Sequence, residues 1–276
     1  MPCSLDRKGA PAGIALVDTW DPSYGKRVIP YRDENETIRT PIITYLLITA
    51  NVLVWVLFQG AGKTYEVEAS VCNFGLVPGE LTGLARPGDS FPMGRGLACV
   101  VDPGREPEHV LTSMFLHGGW LHLIGNMWFL WLFGNNVEDS MGRLRFVIFY
   151  LACGVAAAAA QVVSGPDSIV PMVGASGAIS GVMGAYIVLY PHVRVYTLVP
   201  IFFFVTSIAL PAWVMLGYWM LLQVFGGLAG AESGVAFWAH IGGFVAGVVL
   251  VKLFARPEYV RQHRAQHWRP RRVGWR

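Results

Sequence analysis

Residues 173–190 read VGASGAISGVMGAYIVLY, and no Lys, Arg, Asp or Glu interrupts them. A helix crossing a ~30 Å hydrocarbon core needs about 20 mostly apolar residues. This stretch is therefore predicted to be a membrane span. Comparable stretches lie on either side. Pro41 to Gln59 is charge-free, Trp120 to Asn135 follows a long mixed loop, and Phe146 to Val163 has an alanine-rich middle. Beyond Tyr190, residues 195–231 carry no charge and are too long for one simple crossing. Tyr196 to Thr206 reads as an apolar connection at the interface, Ala209 to Phe225 as a fifth span and Val235 to Leu253 as a sixth. The expected fold is an all-α polytopic membrane protein, a six-transmembrane-helix bundle with a long outer first loop. Residues 1–40 form an N-terminal cytoplasmic segment, 41–254 the membrane domain and 255–276 a basic cytoplasmic tail.

Composition points the same way. The chain is 54% hydrophobic and 14% charged, against about 25% charged in soluble domains. A net charge of +3 is too modest for a nucleic-acid partner, and no basic, aromatic-interleaved patch stands outside the tail. The Arg-rich tail reads as a solvated anchor attracted to anionic lipid. Cys72 and Cys99 share the first loop. They form a disulfide if that loop faces an oxidising space, or remain two thiols. The charged first 25 residues lack a long apolar run, so the first span is expected to act as its own insertion signal.

Six spans put both termini on one side, and the positive-inside rule selects it. Lys26, Arg27, Arg32 and Arg39, then Arg143 and Arg145, then Arg194, then the tail fall on that side, whereas the short opposite connections hold Asp167 and Glu232. Both termini are thus expected inside, in a bacterial inner membrane. On this topology spans two, four and six all run from outside to inside. His122 and Asn126 begin span two, Ser176 begins span four and His240 begins span six. At 1.5 Å per residue all lie within roughly 10 Å of the outer edge.

Polar side chains in spans are costly and mark functional sites. A serine, a histidine and two further donors at one depth are the parts of acyl transfer. Ser176 is the expected nucleophile and His240 its base. Asn126 and His122 share a helix face and are the expected oxyanion donors, with the backbone amide near Ser176. No Asp or Glu falls inside spans two, four, five or six, so a Ser-His dyad is expected rather than a triad. Taken singly, each residue has a plainer reading. Ser176 is packing, beside Gly177-x-x-x-Gly181 and Gly243-x-x-x-Gly247, which let helices approach closely. Asn126 is interhelical glue, and each histidine is a satisfied buried imidazole. Their shared depth outweighs these readings. His117 reads as structural.

These residues resemble the rhomboid family of intramembrane serine proteases. The resemblance rests on HGGWLHLIGN at 117–126, VEDSMG at 137–142, GASG at 174–177 and AHIGGFVAG at 239–247, in one order along roughly residues 108–254. It implies Ser176 and His240 as the catalytic pair, Asn126 and His122 as oxyanion-stabilising residues, and a water-accessible cavity open to the outside. It implies transmembrane protein substrates that unwind locally to be cut, and neither metal nor cofactor. Two positions depart from the family pattern. Pro107-Glu108-His109-Val110-Leu111 stands before Thr112 where many members carry Trp-Arg, and Ser180 stands where some carry an aromatic residue packing on the histidine. A catalytically inactive relative that binds membrane clients is the alternative, and retention of both Ser176 and His240 weighs against it. A transporter or channel would require ionisable groups near mid-membrane or inverted repeats, and the sequence shows neither.

Overall fold

The computed structural model describes residues 5–6, 29–94, 97–201, 204–229 and 234–267. In chain order the helices are α1 (Ile42–Leu53), α2 (Thr64–Phe74), α3 (Pro78–Thr82), α4 (His109–Thr112), α5 (Trp120–Phe129), α6 (Asn135–Met141), α7 (Arg143–Ser164), α8 (Ser176–Leu189), α9 (Ala212–Leu228), α10 (Phe237–Phe254) and α11 (Pro257–His267). A π turn, Val54–Phe58, extends α1, and another, Leu130–Gly134, joins α5 to α6 into one helical run. By length and composition α7 and α10 are each able to cross a membrane, while Ile42–Phe58, α8 and α9 are shorter apolar helices.

The all-α expectation needs correction. Two three-stranded sheets accompany the helices. In the first loop β3 (Ser90–Gly94) pairs antiparallel with β4 (Leu97–Val100), and β1 (Leu5–Asp6) adds to β4. The stretch read as an apolar interfacial connection is an antiparallel pair, β5 (Arg194–Ile201) and β6 (Phe204–Pro211), registered from Arg194↔Pro211 to Ile201↔Phe204. Its Val, Ile, Thr, Tyr and Phe content favours a pleated strand, and Pro200 sits near its end. The strand β2 (Ile29–Asp33) then pairs with β5. As a result the fifth apolar helix begins at Ala212 rather than Ala209. Phe202 and Phe203 of that connection lie outside the described residues, as do Lys26, Arg27, Glu232 and the last nine residues of the tail.

Large apolar side chains cover the outside of the helices, among them Leu57, Ile124, Trp131, Val163, Phe225, Val249 and Leu253. Apolar groups facing outward have a favourable partner in lipid, not in water. Inside, the helices meet through small residues. A Cβ on Gly243 would sit 2.0 Å from the Gly177 carbonyl oxygen, one on Gly247 1.9 Å from that of Gly181, and one on Gly184 2.2 Å from that of Phe244. α8 and α10 are therefore in backbone contact along their length. Without water to expel, close packing of this kind is what holds helices together in lipid.

The end of the bundle far from Ser176 is fixed by buried carboxylates. Glu138 accepts from the Ile43 and Thr44 amides and from the Thr44 hydroxyl at 2.8–3.0 Å, doing the capping that Pro41 cannot do for α1. Asp139 accepts from the amides of Ile38 and Arg39 and from the Arg39 guanidinium. Asp33 accepts from the Tyr186 hydroxyl at 2.6 Å and from Asn136 at 2.9 Å. The segment preceding α1 is thereby tied to α6 and α8. The first loop is tied by a Cys72–Cys99 disulfide, the first of the two alternatives the sequence left open. It is also held by the Thr112 hydroxyl, which donates to the Phe74 carbonyl at 2.8 Å, and by buried His109 against Glu106 and the Phe74 ring.

Candidate active site

Gly174 precedes the site with φ +122, a conformation only glycine holds without strain, and a Cβ there would meet His122 Nε2 at 2.7 Å. Its amide donates to the Ser113 carbonyl at 2.8 Å. This bend turns the chain into α8, whose first residue is Ser176. The first amides of a helix have no partner inside it, and the N-terminus carries partial positive charge. Ser176 thus sits partly exposed at an electropositive helix end, with its side chain beside its own backbone donors.

Across the contact, Ser176 Oγ lies 2.7 Å from His240 Nε2. The glycine contacts of α8 with α10 bring these residues of two different helices to this distance. The N-terminus of α10 is held in turn by Gln161 of α7, whose Oε1 accepts the Ala239 amide at 3.2 Å. The structure thus brings Ser176 and His240 within hydrogen-bond distance of each other.

His122 lies on the other side of Gly174. Its Nδ1 accepts the Gly118 amide at 3.3 Å, so the ring proton resides on Nε2, the nitrogen aimed across Gly174 toward Ser176. Asn126, buried one turn on, donates one amide hydrogen to the His122 carbonyl at 2.9 Å and keeps the other. Both expected donors thus line the same end of the bundle. His117, read as structural, is fully buried, with its backbone amide and carbonyl both held by Gln59 and its ring 5.1 Å from that of His122.

Ser180 spends its hydroxyl hydrogen elsewhere than on the imidazole. Its hydroxyl donates to the Ser176 carbonyl at 2.7 Å. Two residues of α9 meet His240 instead, and neither was expected. Gln223 Oε1 lies 2.7 Å from His240 Nδ1, and the Trp219 ring lies 5.8 Å from the imidazole, tilted by 40°. The available signal was the spacing of Trp219 and Gln223, one helical turn apart in an otherwise apolar span, but nothing in it fixed which way that face turned. Beside Ser176 a small cavity is walled by Ser113, Met114, Gly154, Ala157, Gly174 and Ala239. Among the described residues no group of three or more His, Cys, Asp or Glu could hold a metal ion.

Comparison with known proteins identifies the family. The family model of the Rhomboid domain matches residues 105–257, more than half of the chain. The chain is 33% identical over 150 residues to Rhomboid-like protease 5 of Toxoplasma gondii, covering 52% of this chain and 16% of that protein. It is 32% identical over 145 residues to Rhomboid protease GluP of Bacillus subtilis, covering 52% and 24%. It is 30% identical over 145 residues to the mitochondrial Presenilin-associated rhomboid-like protein A of Danio rerio, covering 50% and 35%. The chain thus spans little more than a third, or less, of the length of these relatives. The matched region contains α5 to α10 and every residue of the site described above, and the chain belongs to the rhomboid family, whose fold is a polytopic helical membrane bundle.

Proposed function

We propose that this chain is an intramembrane serine endopeptidase that cuts transmembrane proteins by a Ser176–His240 dyad. The observation that carries the reading is the 2.7 Å contact between Ser176 Oγ and His240 Nε2 at the N-terminus of α8. Ser176 Oγ attacks the scissile carbonyl carbon while His240 Nε2 takes its proton. The negative charge that develops on the carbonyl oxygen meets the Ser176 amide, the Nε2–H of His122 and the remaining amide hydrogen of Asn126. Each donor of this kind is worth on the order of a hundredfold in rate. His240 returns the proton to the leaving amine as the C–N bond breaks, leaving an acyl ester on Ser176. A water then attacks the ester, gives its proton to His240 and releases the new carboxyl end, and Ser176 regains its hydrogen.

In this reading the membrane domain spans 41–254 with six crossings: Ile42–Phe58, the α5–α6 run, α7, α8, α9 and α10. Both termini are cytoplasmic and the site opens outward in a bacterial inner membrane. The substrate is a transmembrane helix that unwinds at the site, because a helical peptide bond is shielded from attack. The glycine and alanine walls beside Ser176 suit a small side chain at the cut.

The test is cleavage of a model transmembrane substrate by purified protein in liposomes, wild type beside Ser176→Ala and His240→Ala. Wild type is expected to cleave and to label with a fluorophosphonate, and both variants to lose more than about a thousandfold in turnover. Retained cleavage by Ser176→Ala overturns the nucleophile assignment. Folded wild type that neither cleaves nor labels replaces the reading with that of an inactive, client-binding relative.

A further inference from the structure

α9 buries four side chains, Ala212, Met215, Leu216 and Gln223, and Gln223 is the polar one. It stands in the half of α9 that faces the start of α10, where Gly226 lets the Phe237 ring come close. Its Oε1 meets His240 Nδ1 at 2.7 Å while His240 Nε2 meets Ser176 Oγ at 2.7 Å. An amide oxygen only accepts hydrogen bonds. The contact therefore keeps the ring proton on Nδ1 and leaves the Nε2 lone pair facing the Ser176 hydroxyl. The opposite tautomer would set an N–H of the ring against Ser176 and leave no acceptor for the hydroxyl proton. Trp219, four residues earlier on the same face of α9, covers the ring. Both ring nitrogens and one ring face are thus engaged.

We propose that Gln223 is a positioning residue for His240, holding it in the tautomer and orientation that accept the Ser176 proton. The proposal rests on the reading of Ser176 and His240 as nucleophile and base. No proton passes to Gln223: the proton from Oγ goes to Nε2 and returns from Nε2, while Nδ1–H stays bonded to Oε1 throughout. A carboxylate is the more usual orienting group, but an ionised carboxyl buried among apolar helices is costly. A carboxamide supplies the acceptor with no charge to desolvate. It also accounts for a working pair in a bundle whose spans two, four, five and six hold no acid at this depth.

The experiment measures kcat and KM for the liposome-embedded protein across about pH 5 to pH 9, with wild type, Ser176→Ala, Gln223→Leu and Gln223→Glu. Leu keeps the apolar bulk and removes the acceptor. Its kcat is expected to fall about 10- to 100-fold at unchanged KM, the range supported by one hydrogen bond to a group that becomes charged. Glu restores the acceptor and recovers most of kcat. Because a carboxylate beside the ring favours its protonated form, the acidic limb of the profile moves to higher pH. A residue that only packs gives no such rescue. Gln223→Leu with wild-type kcat overturns the proposal, as do Leu and Glu variants equally impaired with the limb unmoved. Should Gln223→Leu fail to fold, Gln223→Met, which keeps the length and apolar bulk without the amide oxygen, takes its place with the same expected loss. Cleavage surviving in Ser176→Ala is a different failure, of the dyad itself, and is visible in the same series.

Discussion

Gly243→Ala tests the link between helix packing and chemistry. Gly243 lies one turn after His240 on α10, and a Cβ at this position would sit 2.0 Å from the Gly177 carbonyl oxygen and 2.9 Å from its carbon. Gly177 in turn adjoins Ser176. Ordinary contact begins at 3.4 Å, so the helices must part by about 1.4 Å, since backbone atoms cannot rotate aside as a side chain would. The Ser176–His240 separation of 2.7 Å then opens to roughly 4 Å, beyond hydrogen-bond reach. Overpacking of this kind costs about 1–3 kcal/mol, and a 1 Å misplacement of reacting groups costs on the order of a hundredfold in rate. Gly217→Ala on α9 is the control, because a Cβ there meets nothing within 4 Å, and Ala in a helix is stabilising by about 0.5–1 kcal/mol. Thermal unfolding in detergent and substrate turnover in liposomes are measured for both. The expected pattern is a lowered midpoint and a roughly hundredfold lower kcat for Gly243→Ala, with neither loss for Gly217→Ala. Wild-type kcat in Gly243→Ala would refute the claim that backbone contact of α8 with α10 sets the Ser176–His240 distance. Equal losses in both variants would refute it as well.

Three further outcomes follow from the anchors of the bundle. Glu138→Ala strands the amides of Ile43 and Thr44 and the Thr44 hydroxyl, at a cost of about 3 kcal/mol; an unchanged unfolding midpoint would show that α1 is capped by other means. Removing the Cys72–Cys99 bridge, whose ends lie 27 residues apart, is expected to lower stability by about 3.5 kcal/mol on the chain-entropy view, and a midpoint insensitive to reductant would refute it. Burial pushes the Asp33 carboxyl up from 3.8 to about 6, against the lowering effect of the Tyr186 hydrogen bond. The folded protein therefore holds that proton more tightly than the unfolded chain, and the resulting stability, complete at low pH, is lost as pH rises through about 6. Asp33→Asn keeps an acceptor for Tyr186, so it should flatten this part of the stability profile and gain about 1–3 kcal/mol over wild type above about pH 7. A profile with the wild-type slope would assign the dependence to other groups.

The site was legible where topology alone does the work. Alternate spans run the same way, so polar residues near the starts of three such spans must gather at one end of the bundle, whatever the rotation of each helix. Ser176, His240, His122 and Asn126 needed only that parity. Gln223 needed more. It lies well along a span that runs the opposite way, and whether it meets His240 depends on how α9 is rotated against α10, which apolar residues all round the helix leave undetermined. The β5–β6 pair was missed because a short apolar run rich in β-branched residues reads equally as strand or buried segment, and its partner β2 is far away in sequence. The carboxylates of Glu138 and Asp139 looked like motif residues without a task, since what they bind are backbone amides of another segment, and amides have no sequence signature.

The two ends of the bundle answer the cost of burying polar groups in opposite ways, and the proposed function accounts for the difference. About 24 Å along the α5–α6 run from His122, Glu138 and Asp139 stay buried because converging backbone amides and the Arg39 guanidinium replace the water they lost. That solution suits an anchor, which has no proton to hand on. At the other end, on the proposed function, a proton moves between Ser176 and His240, and a charge appears and vanishes with each turnover. Ser176, His240, His122, Asn126 and Gln223 are all groups able to stand there neutral, so none of them requires a permanent buried charge. Their donors and acceptors are fixed in direction before the substrate arrives, which is where such a site derives its rate.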